Sequence, residues 1–409
     1  MTDRTPDATA GPTGAGVPTA QCPTCGNDVP DGVFCGACGR HLALHQDGAG
    51  KTFRAHSYAA APGEHVLRLS LVSSLFPHLP HRSRAPFRIA VVLLVVALVV
   101  LAALRLQAPM IAVAALGVPV VFQLYLQESD VYEDLPLKLL AVAAVLGALL
   151  GWGWAALTAN RVAHSIGPSL LGEGGAGNFW QDGVLIPAAA GLLLLVPAAV
   201  AFAMKPPHID ESLDGYLIGS LGAVAFTAAA TITRLEPQLR TGIVAHDRPV
   251  ENIVIEALLQ GGTVPVTAAS IGGLVGAALW VRRRSQSGHV GRWLATARLM
   301  VPVAIVGYAV LGVIDYEQPP QVTLLALHVV VAIAALLVLR YGLHAVLLHE
   351  EHEVGIGAPR VCPHCEQLVP SMPFCPHCGY AHRAASRASR ARLHLGTTAP
   401  AAGSQEGSA

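Results

Sequence analysis

The run IAVVLLVVALVVLAAL, residues 89–104, has no polar stripe that could face water along one side of a helix. VLIPAAAGLLLLVPAAVAFA, residues 184–203, has none either. A helix that is apolar on every side belongs in lipid or in the middle of a large core, and about 20 such residues cross a bilayer. Runs of this kind recur through the centre of the 409-residue chain. Only 13% of the chain is charged, against the roughly 25% usual for soluble proteins. The pattern predicts an all-α polytopic membrane helix bundle of about eight spans, near 88–106, 108–126, 137–158, 184–203, 213–232, 262–281, 296–314 and 322–348. The least distinct are the first pair, parted only around RLQAP, and the fifth, rich in Gly, Ala and Thr.

An even number of crossings puts both ends on one side. With the ends inside, the inner flanks carry 14 Lys plus Arg, among them Arg82, Arg84, Arg88 and Arg282 to Arg284. The outer loops carry five: Arg105, Arg161, Arg234, Arg240 and Arg248. Basic residues gather on the cytoplasmic side, so the bias predicts both termini in the cytoplasm. The acidic inner segment QESDVYEDLPLK, residues 127–138, weighs little in that rule. The first 20 residues have no apolar core of a cleavable leader.

Two short modules flank the body. CPTCGNDVPDGVFCGACG, residues 22–39, and CPHCEQLVPSMPFCPHCG, residues 362–379, align without a gap. Each has the spacing C-x2-C-x9-C-x2-C, through Cys22, Cys25, Cys35 and Cys38, and through Cys362, Cys365, Cys375 and Cys378. They also share Val29-Pro30 and Val369-Pro370, Phe34 and Phe374, and Gly39 and Gly379. Two C-x2-C turns present four sulfurs tetrahedrally, which suits Zn2+, and four thiolates close its shell, so two structural ions are expected. Each phenylalanine is expected to pack over its own site, and each glycine to allow the turn after the knuckle. A disulfide framework is the competing reading, but it needs an oxidising compartment. A reducing cytoplasm agrees with zinc. His364, His377 and His382 read as surface residues rather than ligands. The expected order is a disordered head 1–20, first zinc ribbon 21–42, linker 43–87, bundle 88–348, linker 349–360, second ribbon 361–382 and basic tail 383–409. Within that tail, RAASRASRARLH, residues 383–394, reads as solvated, with contact to anionic lipid, released by phosphorylation of Ser386 and Ser389, as the sharper alternative.

The body offers little chemistry. No Asp or Glu falls away from the span ends. Gln123, His328, Arg340 and His344 are the polar exceptions; Arg340 and His344 are read as snorkelling, and His328 as a hydrogen-bonded structural residue. HIDESLD, with His208, Asp210, Glu211 and Asp214, and the pair His246-Asp247 read as solvated loop charges. GEGGAGNFWQDG, residues 172–183, reads as a flexible outer loop, without a phosphate cradle. Gly215, Gly219, Gly222, Gly272, Gly273 and Gly276 have the spacing of close helix contact. Pro187, Pro197, Pro265 and Pro302 are expected to start or bend spans.

The modules resemble the short zinc ribbons at the ends of many bacterial membrane proteins, which implies an interaction or regulatory role. The excess of 23 Arg over three Lys fits a high-GC bacterium. LDGYLIGSLGAVAF, residues 213–226, resembles the PrsW family of intramembrane proteases through Asp214, Gly215, Gly219, Ala223 and Phe226. Pro197, Lys205 and GTVPVTAASIGG, residues 262–273, extend the resemblance. That family implies a peptidase, yet Val200-Ala201 and Ala230-Thr231 stand where it carries Glu-Glu and Glu-Asn, and its later histidine is absent. No catalytic residue is carried over. The expected function is a non-enzymatic, multi-pass protein of the bacterial cytoplasmic membrane. Its expected partners are the lipid bilayer and a protein held by the ribbons, with no basic-aromatic face for nucleic acid. The alternatives are a degenerate PrsW-like protease and a transporter or channel.

Overall fold

The computed structural model describes residues 18–23, 26–39, 41–42, 57–58, 60–77, 85–128, 135–166, 179–204, 211–241, 249–284, 290–350 and 356–384. The chain forms two compact units, one from its two end regions and one from Val66–Glu350.

The second unit is helical. Its elements are α1 (Leu71–Leu75), α2 (Ala85–Ala103), α3 (Gln107–Glu128), α4 (Leu137–Ile166), α5 (Ile186–Leu193), α6 (Val196–Ala203), α7 (Ser212–Thr241), α8 (Val250–Leu258), α9 (Val264–Arg284), α10 (Val290–Tyr316) and α11 (Gln321–Glu350). Wider π-turns over Trp180–Leu185 and Leu259–Thr263 lead into α5 and α9. Among the described residues, seven helical stretches are long and apolar enough to cross a membrane. An eighth, Val301–Tyr316, is apolar but shorter. This is the make-up of a membrane protein.

Two of the prolines start helices as expected. Pro187 and Pro197 open α5 and α6, which together form one stretch, Trp180–Ala203, interrupted at Leu194 and Leu195. Pro302 lies within α10, and Pro119, not singled out in the sequence, within α3. Around RLQAP the first two spans part at Leu104–Leu106, with Arg105 at φ 55°.

The fifth span, the least distinct in sequence, is the centre of the bundle. Ser212–Arg240 is 83% buried inside the protein, whereas the far more apolar Pro86–Ala103 is 6% buried. A helix bathed in lipid needs apolar side chains all round. One surrounded by other helices needs small ones, so that backbones can approach. Gly215 and Gly219 of α7 face Gly276 and Gly272 of α9, so close that a Cβ on any of them would collide with the opposing helix. On the other side of α7, Gly147 and Gly151 of α4 press on the backbone of Gly222 and Phe226. Leu194, Leu195, Ala223, Phe226, Ala268, Val275, Ala304 and Tyr308 fill the core beside these contacts.

The sixth span begins earlier than its hydropathy suggests. It runs Val250–Trp280, so residues 250–261, left outside the expected span 262–281, are helical, and Glu256 lies within the span. The expected absence of carboxylates therefore fails there. Gln107 donates to the Glu256 carboxylate at 2.6 Å, which supplies the partner a carboxylate needs near lipid. Gln260, in the π-turn, accepts from Thr231 at 3.3 Å. Phe179 to Asp182 are also helical, not a flexible loop; residues 172–178 lie outside the described residues.

We predict that Gly219→Leu destabilises the bundle by about 1–3 kcal/mol, the usual penalty for overpacking. Gly153→Leu, with nothing within 4 Å of its added Cβ, should be nearly silent. Unfolding of the purified protein in mixed detergent micelles measures the difference.

Candidate metal centres

The end unit is built from three two-stranded antiparallel pairs: β1 (Thr19–Gln21) with β2 (Asp28–Pro30), β3 (Ser57–Tyr58) with β4 (Ala61–His65), and β5 (Gly357–Val361) with β6 (Leu368–Ser371). The β3–β4 pair falls in the segment expected to be a linker. The other two pairs repeat one another. Ala20 opposes Val29 and Gln21 opposes Asp28, as Arg360 opposes Val369 and Val361 opposes Leu368. Within each module the hairpin sets the first C-x2-C turn beside the second.

The turns are tight and equivalent. Gly26 N–H donates to Cys22 O and Glu366 N–H to Cys362 O, both at 2.9 Å. Gly39 N–H donates to Cys35 O and Gly379 N–H to Cys375 O, both at 2.8 Å. Gly26, Gly39 and Gly379 have φ of 75°, 70° and 73°, a region glycine enters freely. Glu366 takes the same place at φ 59°, against the steric preference of an L-residue.

Cys362, Cys365, Cys375 and Cys378 bring their sulfurs within 4.8 Å of one another, and so do Cys22, Cys35 and Cys38. Cys25 lies outside the described residues. Sulfurs of Cys362 and Cys378 stand 3.8 Å apart, those of Cys365 and Cys375 3.8 Å, and those of Cys22 and Cys38 3.9 Å. A tetrahedron with metal–sulfur bonds of about 2.3 Å has edges of about 3.8 Å. A disulfide would need about 2.05 Å. The spacing fits a metal ion held by thiolates and is nearly twice too wide for disulfide bonds.

The clustered thiols also act on one another. Hydrogen bonds from Cys362 and Cys378 push the Cys375 thiol far down, burial opposing. Cys378 is pushed up because it gives its proton to Cys362 and Cys375, and Cys362 is pushed up by the hydrogen bond it shares with Cys375. Cys35 is lowered to about 5, chiefly by the Cys38 thiol. Without a cation the sulfurs thus share protons, since several thiolates in contact repel. A bound metal replaces those protons.

The modules also pack on each other. Phe34 N–H donates to Pro376 O at 2.9 Å, and Phe374 N–H donates to Gly36 O at 2.9 Å. Pro376 is the counterpart of Gly36, so the two bonds are exchanged across a pseudo-twofold axis. A Cβ on Gly39 would fall 2.7 Å from the Phe374 ring, and one on Gly379 would fall 2.6 Å from the Phe34 ring. Gly32 meets Pro376 while Gly36 meets Met372, again a reciprocal pair. Met372 completes the small core of Cys22, Val29 and Cys35. This is isologous contact, normally seen between two identical subunits, formed here by the two ends of one chain.

That pairing corrects the expectation for the phenylalanines. Each ring covers the glycine after the last cysteine of the opposite module. Gly39 and Gly379 serve twice, in the turn and as a floor for the ring. His382 is buried, not a surface residue. His364 stacks on Tyr380 with ring centres 4.9 Å apart, and His377 is exposed. The spacing of the cysteines carried no sign of the pairing. The shared Phe and Gly take part in it, but each has a local reading within its own module that accounts for it equally well in sequence.

In the membrane unit, His328 Nε2 lies 2.9 Å from Asp315 Oδ1 and is hydrogen-bonded as expected. Arg340 does not snorkel: it is 1% exposed and donates to the Ser73 and Ser74 hydroxyls at 2.7 and 3.1 Å. Asp214 is buried in the first turn of α7 rather than solvated in a loop, and its carboxylate accepts from Glu211 N–H at 3.4 Å. His208, Asp210, His246, Asp247 and the basic tail beyond Ala384 lie outside the described residues. Comparison of the chain with protein-family models, curated proteins and solved structures finds no match.

Two outcomes are expected. Titration with Co2+ should give two tetrahedral thiolate sites per chain, read by their d–d absorption, with affinity falling as pH is lowered because protons compete for sulfur. Gly39→Ala and Gly379→Ala should each cost about 1–2 kcal/mol from the positive φ alone, and more from the displaced ring. Chelator-induced metal release from both variants reads the loss.

Proposed function

We propose that this protein is a non-enzymatic, multi-pass protein of the bacterial cytoplasmic membrane whose two ends form one zinc-bound scaffold for a protein partner. The reciprocal pairing of the modules is the observation that carries the reading. Two ribbons with only separate structural roles would not need matched faces. A composite of both chain ends gives a partner one rigid surface instead of two tethered ones, and lowers the ordering cost of binding. The pairing faces are occupied by each other, so the partner would meet the remaining surface, on which Val33 and Leu368 are exposed.

Zinc is the metal this donor set favours. Four thiolates leave no open position, so its role is folding rather than chemistry. The excess of Lys and Arg on the inner flanks supports both termini in the cytoplasm, where thiols stay reduced.

The residues behind the PrsW resemblance have packing roles that need no catalysis. Gly215 and Gly219 meet α9, and Phe226 lies in the core. The Thr- and Gly-rich seam along α7 and α9 is closed by backbone contact, which weakens the idea of a pore there. Neither a protease nor a channel is favoured.

The test is capture of crosslinked membrane complexes from cells carrying the intact protein, a Phe34→Ala/Phe374→Ala variant and one with all eight cysteines changed to serine. Membrane abundance is matched throughout. We expect a specific partner with the intact protein only. The same partner recovered from all three would place the docking surface elsewhere and overturn the scaffold reading.

A further inference from the structure

The segment from Val66 to Pro77 precedes the first span and was expected to be linker. Its inner side is fastened to the bundle. Arg340 binds Ser73 and Ser74, and Tyr216 OH donates to Leu75 O at 2.7 Å. Phe76 sits among Phe87, Tyr125 and Phe122, with ring centres 5.1, 4.8 and 6.0 Å away. The level of this seat follows from its partners: Phe87 lies in the first turn of α2, Tyr125 in the last turn of α3 and Tyr216 early in α7. All three are at span ends, where the acyl chains of a bilayer give way to headgroups.

The outer side of the same segment is apolar. Leu69, Leu71 and Val72 are 55%, 50% and 40% exposed, and Arg68 beside them is exposed. Water is a poor neighbour for three large aliphatic side chains within four residues at the start of a helix. The next element in the chain is α2, the least buried span, whose Ile89, Val92 and Leu93 are exposed. The apolar side of α1 and the exposed side of α2 are thus both without protein cover. From Val66 to Ala90 the chain carries Arg68, Arg82, Arg84 and Arg88 and no Asp or Glu. Arg68 and Arg88 are both exposed.

We infer that the segment Arg68–Val72 is an interfacial anchor, with its leucines and valine in the leaflet at the level of this seat, and with its arginine on anionic phospholipid headgroups. Apolar insertion combined with basic side chains is the general recipe for such contact. A helix of five residues has no stability of its own. Lipid on one side and Arg340, Tyr216 and the Phe76 nest on the other together hold it. The inference does not depend on the zinc scaffold.

The test is hydrogen exchange of the full-length protein in nanodiscs of phosphatidylcholine, with and without phosphatidylglycerol. Anionic lipid should slow exchange of residues 66–76 by about tenfold, the factor for a ligand at roughly ten times its dissociation constant. Arg68→Glu and Leu71→Asp, neither of which touches the seat, should remove that slowing. Protection of α7 and α9 should stay the same in both variants, which reads the fold independently. Equal exchange in the two lipids, or slowing that survives Arg68→Glu, would overturn the anchor.

Discussion

The membrane unit depends on backbone-to-backbone contact along α7. In lipid the hydrophobic effect does not draw helices together, because acyl chains are as apolar as leucine. Association then rests on how closely two helices can come and how many atoms they bring into van der Waals range. Gly215 and Gly219 against Gly276 and Gly272, with Gly147 and Gly151 on the opposite side, let three helices meet without intervening side chains. Spans with larger side chains occupy the periphery. The two most buried spans, Ser212–Arg240 and Val250–Trp280, are also the two of lowest hydropathy.

Around this centre, polar groups are placed where partners exist. Ser220 donates to Ala269 O between α7 and α9 at 3.0 Å, and Thr227, Thr263, Thr267 and Ser270 bond to carbonyls of their own helices. Hydroxyls with such a local acceptor are cheap to bury, so a seam of Ser and Thr need not mark a water path. The charged and amide groups Glu256, Gln107, Asp315 and His328 pair between segments. Arg340 is held by a serine pair from outside the spans.

The end unit solves a different problem. A module of about twenty residues buries too little to fold alone, and metal is one remedy. Pairing with a second copy is another, because each module lends the other a methionine or phenylalanine and a backbone acceptor. The sulfur clusters could hold the first, and the reciprocal contacts supply the second. Encoding the two copies at opposite ends of the chain makes the pair intramolecular, with the membrane body as the linker.

Much of this was legible in sequence. Apolar run length gave the helical membrane architecture, the C-x2-C repeats gave the sulfur clusters, and glycine spacing marked the helix contacts. These features follow from local geometry and from transfer of side chains out of water, which a sequence records position by position. The early start of the sixth span was not legible, because Glu256 breaks the hydropathy and its partner Gln107 is distant in the chain. The seat of α1 escaped notice for the same reason: SSLFP becomes structural only where Arg340, Tyr216 and three aromatic rings converge on it. The crossing of Phe34 and Phe374 to opposite modules was hidden too. What the sequence determined by itself was which segments leave water and which sulfurs gather. Which helix lies at the centre, and which face of one module meets the other, only the tertiary structure decided, since both depend on surfaces that exist after distant segments have packed.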